Sequence, residues 1–378
     1  MRLALIRQRY DPYGGAERFV ERALAALQAQ GVNATLITRD WSARPGQAVL
    51  VCNPFHVGRL WRDWSFARCV RSTLGRQPFD LVQSHERIPG CDIYRAGDGV
   101  HASWLDQRDR ARGVLGPAVT ALNLWHRYTL RAESRMFRHP GLRAVICNSR
   151  MVRDDIQRRF GLAPEKLHVI YNGVDLESYH PRLRHRYRDS MRSQLAVASA
   201  ATLFLYVGSG FARKGVPQLI EAFAAMSDRD AVLAIVGADR QQSRLGRVVR
   251  RLGLDRRILF AGGQKDVRPF YAAADAFVLP TLYDPFPNAA LEALACGLPV
   301  ITSTSCGAAE LVTEGVNGHV CDALDVGALA RCLDALARPG AALGMATAAR
   351  TSVAGLSLDR MAEALIDLYR ELLPDGPS

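Results

Sequence analysis

Short apolar runs alternate with helix-like segments twice over in this chain, and a stretch of different character separates the two series. In the first series, residues 2–7, 34–38, 48–52, 81–84, 144–147 and 167–171 read as strands, being short, apolar and rich in β-branched side chains. In the second, 202–207, 231–236, 258–261, 276–279 and 300–302 read the same way. Helices are expected between them over 216–226, 243–252, 267–273 and 288–296. Repeated strand–helix units argue for parallel sheets covered on both faces. The fold class is therefore α/β, with two Rossmann-like domains, and 378 residues are enough for two full cores. Residues 180–194 are rich in Arg and His and lack a clear apolar face, so they read as the connection. The expected division is 1–178, a linker at 179–198, 199–355, and a last amphipathic helix and tail at 356–378. Ligands would bind outside the carboxyl ends of the strands, in the cleft between the domains.

Hydrophobic content of 48% and charged content of 23% are ordinary for a soluble globular protein. No uninterrupted apolar run approaches membrane-spanning length. The apolar start at residues 1–6 is too short for a signal peptide, so the chain is expected to stay in the cytoplasm. The eight cysteines are scattered, with no C-x-x-C pair, and read as reduced, buried thiols. The formal charge of +12 calls for an anionic partner: nucleic acid, phosphorylated substrate or membrane surface.

The densest chemistry lies at residues 284–299, Asp-Pro-Phe-Pro-Asn-Ala-Ala-Leu-Glu-Ala-Leu-Ala-Cys-Gly-Leu-Pro. Pro287 stands where a first helical turn would begin, and Gly297 where the helix would stop. Asp284 and Glu292 thus flank a helix N-terminus whose free N–H groups attract phosphate, while carboxylates accept from sugar hydroxyls. A solvated loop acid and a helix-surface acid would give the same pattern. A second cluster, Gly208-Ser209-Gly210-Phe211-Ala212-Arg213-Lys214-Gly215, also joins a strand to a helix. Its glycines permit close backbone approach, and its two cations suit a pyrophosphate. Gly rather than Ser or Thr follows Lys214, so the Walker spacing is absent. Gly14 and Gly15, after the first strand, could bring N–H groups to a ligand, but G-x-G-x-x-G is absent.

Asp98 and His101 fall in a glycine-flanked loop, where either could bind or deprotonate an acceptor hydroxyl; a lone His is more often structural. Between 101 and 143, Arg108, Arg110, Arg112, Arg127, Arg131, Arg135 and Arg138 mingle with Trp104, Trp125 and Tyr128. Pro117 should split this stretch into two helices. It suits an anionic membrane surface, or packing on the sheet with a solvated basic face. Asp228-Arg229-Asp230 has the form used by metal-dependent sugar transferases, but it falls in a polar turn, and no metal site is expected.

With these residues in view, the chain resembles the family 4 glycosyltransferases of the GT-B fold over essentially its whole length. The family's E-x7-E signature is matched by Asp284 and Glu292, with Glu-Ala-Leu-Ala-Cys-Gly-Leu-Pro-Val beginning at Glu292. Arg213-Lys214 matches its phosphate-binding pair, and Gly14-Gly15-Ala16-Glu17-Arg18 its N-terminal glycine loop. Within the family the chain is most similar to the branch that adds glucose to heptose in the lipopolysaccharide core. The Gly208 loop, the Asp-Ile-Tyr-x-Ala-x-Asp run ending at Asp98 and the basic aromatic segment carry that likeness. It implies retaining, metal-independent hexose transfer and a C-terminal helix that returns to the first domain. The co-substrate would be a nucleoside diphosphate sugar, UDP-glucose favoured. Donor binding would fall to Gly14, Gly15, Gly208, Arg213, Lys214, Asp284, Phe286, Asn288, Ala289 and Glu292. Catalysis would involve Asp98, His101, Arg213, Lys214 and Asp284. The acceptor would be a lipid-linked saccharide such as lipopolysaccharide core, and segment 101–143 would attach the enzyme to the inner face of the cytoplasmic membrane. Most members carry Glu where this chain has Asp284, one methylene shorter. No recognition helix, RNA module or zinc finger supports nucleic acid as the partner. A GT-B epimerase acting on the nucleotide sugar alone stays open.

Overall fold

The computed structural model describes residues 2–8, 33–41, 48–113 and 116–373. The chain divides into two compact units: Met1–Asn172 with Leu358–Ser378, and Gly173–Ser357. The described strands of the first are β1 (Arg2–Ile6), β2 (Asn33–Thr38), β3 (Ala48–Val51), β4 (Leu81–Ser84), β5 (Ile93–Arg95), β6 (Ala144–Cys147) and β7 (Leu167–Val169). Those of the second are β8 (Leu203–Val207), β9 (Val232–Val236), β10 (Ile258–Gly262), β11 (Ala276–Leu279), β12 (Val300–Ser303) and β13 (Gly318–Cys321). The sheet orders are β3-β2-β1-β4-β5-β6-β7 and β10-β9-β8-β11-β12-β13. All these pairings are parallel. Strands β6, β9, β11 and β12 are buried at every position, as strands covered on both faces must be.

Each sheet starts in the middle, grows one way, then reverses. The reversal falls between β1 and β4 in the first unit and between β8 and β11 in the second. Loops leaving two such neighbours diverge and open a crevice at the strands' carboxyl ends. In the second unit these loops are 208–215 and 280–287. In the first, Arg7 follows β1, and His85 and Glu86 follow β4.

The first unit's sheet is closed on one side by the helix Leu358–Leu372. Its Met361, Leu365, Leu368 and Tyr369 recur at helical spacing and pack on Leu3, Leu5, Leu36, Leu81, Ile93 and Ile146. The Tyr369 hydroxyl donates to Gln83 Oε1 at 2.6 Å. On another part of the core, Val152 and Ile156 of the helix Arg150–Phe160 pack with Val145 and Leu167. Ser149 starts that helix, its Oγ accepting the Val152 N–H at 3.2 Å. Among the described residues, no helix is long and apolar enough to cross a membrane.

Two segments differ from expectation. The residues read as a connection lie in the second unit, and Leu183–Gln194 is a helix. It shows little apolar face because charge fastens it. Arg184, Arg188 and Arg192 converge on Asp275, just ahead of β11, at 3.5, 2.7 and 3.1 Å. Asp275 also accepts the Leu203 N–H at 2.9 Å. The stretch 101–143 holds three helices rather than two, His101–Arg112, Gly116–Leu122 and Leu124–Phe137. The extra break is at Asn123, whose side chain accepts the N–H groups of Trp125 and His126 and so caps a new helix.

Replacing Asp275 by Asn would leave Arg192, which is buried, without its counter-charge. The Asp275→Asn variant is expected to lose about 2–4 kcal/mol of stability in the second unit, read from the urea unfolding midpoint.

Candidate active site

In the second unit, β8 runs directly into the glycine loop. At Gly208 a Cβ would come within 3.1 Å of Lys214 Nζ, so the lysine folds back over the strand end. Gly215 has φ +74°, and a Cβ there would fall 1.9 Å from the Pro280 carbonyl oxygen. Only glycine lets this loop touch the one that follows β11. The contact is laced by hydrogen bonds: the Leu282 N–H donates to Arg213 O at 2.8 Å and Thr281 Oγ1 to the same oxygen at 3.2 Å. Arg213 Nη1 donates back to Tyr283 O at 2.9 Å and to Asp284 Oδ2 at 3.3 Å. Lys214 Nζ lies 3.4 Å from that same Oδ2. Asp284 is therefore no solvated loop acid: it is buried, with one oxygen set between two cations.

The helix Asn288–Ala295 begins directly after Pro287, with Asn288 and Ala289 partly exposed in its first turn and Phe286 buried before it. Glu292 is buried, not on the helix surface. Its Oε2 lies 3.0 Å from the Tyr271 hydroxyl, which is also 3.1 Å from Ala289 O. Burial, reinforced by the nearby Glu292 charge, pushes the Tyr271 phenol well above its usual range, so it remains a donor. Tyr271 is not legible in the sequence, because a buried aromatic on a neighbouring helix carries no local mark of orienting an acid.

In the first unit, Arg7 Nη1 lies 3.6 Å from both Glu86 Oε1 and Asp98 Oδ2. Glu86 Oε1 also accepts the Gln8 N–H at 3.0 Å. Burial raises the Glu86 carboxyl, opposed by Arg7 and reinforced by Asp98. Glu86 and Asp98 line a cavity of about 240 Å³ together with Asp63, His101, Trp125 and Tyr128. Trp125 Nε1 donates to Asp63 Oδ2 at 2.8 Å. Arg7, Asp63 and Glu86 were also missed, since they meet Asp98 only through the sheet.

His101 opens a helix instead of lying in the loop, and it is only 6% exposed. Its Nε2 is 3.0 Å from His126 Nδ1, and His126 Nε2 is 2.7 Å from Arg108 Nη1. A guanidinium can only donate. His126 Nε2 therefore accepts, its Nδ1 carries the proton, and that proton is donated to His101 Nε2. His101 then bears its own proton on Nδ1. Burial, with Arg87, His126 and Arg108 close by, lowers its pKa to about 3. His101 is thus a neutral imidazole whose Nε2 is occupied by the His126 proton, and its burial makes it a weak base.

Of the expected site residues, Gly208, Arg213, Lys214, Asp284, Phe286, Asn288, Ala289 and Glu292 gather at the switch point of the second unit. Asp98 and His101 share one cavity in the first. Gly14 and Gly15 lie outside the described residues. Asp228 closes its turn by accepting the N–H groups of Asp230 and Ala231.

Residues 13–178 match the model of glycosyltransferase family 4, and residues 188–342 that of the group 1 glycosyl transferases. The lipopolysaccharide glucosyltransferase WaaG of Escherichia coli is 24% identical over 326 residues, 85% of each chain. The crystal structure of WaaG, a glycosyltransferase involved in lipopolysaccharide biosynthesis, matches with a TM-score of 0.85 at 24% identity, over 99% of this chain and 100% of that one. Alr3699/HepE of Anabaena, solved with UDP-glucose, matches with a TM-score of 0.72 at 21% identity, over 98% and 100%. The shared architecture is the GT-B fold.

The buried histidine sets a pH response. Above the ordinary histidine pKa of 6.5, His101 is neutral whether the chain is folded or not. As pH falls below that value the unfolded chain takes up a proton that the fold refuses until about 3, so stability declines across this window. His85 and His126 act in the same direction. Urea unfolding at about pH 5 and about pH 7.5 should show a smaller loss on acidification in His101→Gln than in the unsubstituted protein.

Proposed function

The chain belongs to family 4 of the glycosyltransferases, of GT-B type, and is related to the lipopolysaccharide core glucosyltransferases; on that premise we propose that it transfers a hexose, glucose by preference, from UDP-glucose to a lipid-linked saccharide such as lipopolysaccharide core, with retention at the anomeric carbon. The observation that carries this reading is the Arg213–Asp284–Lys214 cluster at the switch point of the second sheet. A diphosphate entering there meets two cations fixed on one carboxylate oxygen and the first turn of the helix Asn288–Ala295, whose free N–H groups complement negative charge. Charge grows on the diphosphate as it leaves, so cations already in place stabilise the transition state more than the ground state. Glu292, oriented by Tyr271, accepts hydrogen bonds from the ribose. Asp284 reaches the donor sugar while it holds the cations.

Asp98 and Glu86 orient the acceptor hydroxyl, and His101 donates its Nδ1–H to a substrate oxygen. The acceptor oxygen bonds to the anomeric carbon on the face from which the diphosphate departs. The bond from that carbon to the phosphate oxygen breaks, its electron pair stays with the diphosphate, and the acceptor proton passes to a phosphate oxygen. In this scheme Arg213 and Lys214 do the work of a divalent metal. Leu122 and Leu124, 82% and 65% exposed where two helices meet, support attachment of segment 101–143 to an anionic membrane surface on the cytoplasmic side.

In glucose transfer from UDP-glucose, Lys214→Ala and Arg213→Ala should each lower kcat by about 10²–10³ while the folded circular-dichroism spectrum is retained. Full activity in both would refute the phosphate role. Tyr271→Phe removes one hydrogen bond that orients Glu292, and should raise KM for UDP-glucose roughly tenfold with little change in kcat.

A further inference from the structure

A second cavity in the first unit, about 480 Å³, lies between the helices Gly58–Leu74 and Leu124–Phe137. It shares Ala67, Arg87, Tyr128 and Ala132 with the cavity of Asp98 and His101, as a common wall. Its charged lining is of one sign: Arg71, Arg87, Arg127, Arg131 and Arg135. Arg127, Arg131 and Arg135 recur every four residues and so stand on one helix face, a spacing at which like charges repel.

Among the described residues, only Arg87 of these has an acidic partner, Glu133. Each of the two helices carries a single acid, Asp63 and Glu133, and neither pairs with Arg71, Arg127, Arg131 or Arg135. Asp63 accepts from Arg62, Gln8 and Trp125; Glu133 accepts from Arg87 Nε and the His101 N–H. Among the described residues, Arg71, Arg127, Arg131 and Arg135 have no carboxylate partner. Burial and Asp63 raise the Tyr128 phenol while Arg71 and Arg135 oppose them, which puts both guanidinium groups within electrostatic reach of the shared wall. Trp64, 45% exposed, adds an aromatic face to the same groove.

We propose that this groove is a subsite for a phosphate group carried on the acceptor saccharide, read by Arg71, Arg127, Arg131 and Arg135 while the sugar to be modified occupies the adjoining cavity. Guanidinium forks match phosphate oxygens in pairs. A groove of about 480 Å³ with an aromatic wall has room for one phosphorylated sugar. The common wall at Arg87 and Tyr128 sets the phosphate one residue away from the reacting hydroxyl. The inference rests on the acceptor side of the function proposed above.

The test titrates water-soluble, deacylated lipopolysaccharide core saccharide into the full chain by calorimetry, with its phosphates and after their removal. The phosphorylated form should bind at least roughly tenfold more tightly. In the doubly substituted Arg131→Gln, Arg135→Gln protein that preference should vanish, with the dephosphorylated form binding as before and the melting temperature unchanged. Equal affinity of the two forms for the unsubstituted protein, or a preference that survives the substitutions, overturns the subsite. Sedimentation with phosphatidylcholine–phosphatidylglycerol vesicles separates the alternative source of phosphate. Loss of vesicle binding in the variant with the saccharide preference intact would make the groove a membrane contact and overturn the proposal. Glucose transfer is followed independently. Transfer without any phosphate preference removes the subsite and leaves the proposed function standing; a phosphate preference without transfer does the reverse.

Discussion

One carboxylate oxygen, Asp284 Oδ2, fixes both cations of the second unit's site. A buried carboxylate without partners would be costly, and two unpaired cations at one strand end would repel each other. Each group makes the other's position tenable. The arrangement in turn depends on a backbone contact only glycine allows, at Gly215 against Pro280, which brings the loops after β8 and β11 together. Aspartate is suited to this place. A glutamate here would bring an extra methylene that would have to be taken up before one oxygen could bridge the same two groups.

Both units use the same device with different charge. Each gathers polar side chains where two adjacent strands send their loops in opposite directions. In the second unit the gathered groups are two cations on one acid. In the first, Glu86 and Asp98 share Arg7, and a chain from Arg108 through His126 holds His101 neutral. The first crevice thus presents carboxylates beside an uncharged imidazole, and the second presents two cations on one acid.

Much of this could be read from the sequence, and the exceptions share a cause. The strands were legible because β6, β11 and their like are short, apolar and buried throughout. Asp284, Glu292 and the Arg213-Lys214 pair were legible because a strand end, a proline and a helix start fix their positions locally. The helix Gly58–Leu74 escaped notice because tryptophan and arginine fall all around it and no side chain caps its start. Leu183–Gln194 escaped because arginines on a single aspartate fasten it where an apolar stripe would be expected. The protonation of His101 was not legible because the partners that fix its proton belong to other turns and another helix. Net charge was an ambiguous guide for the same reason: part of the arginine excess braces the fold, and part lines a groove.

The helix Leu358–Leu372 completes the core of a unit whose sheet begins at Arg2. A nascent chain must therefore carry β1 to β7 with one flank of Leu3, Leu81 and Ile93 uncovered while the whole of Gly173–Ser357 is still being translated. The intervening unit can close as soon as its own residues clear the ribosome. The first must wait for a segment made more than a full domain later, so the order of folding inverts the order of synthesis.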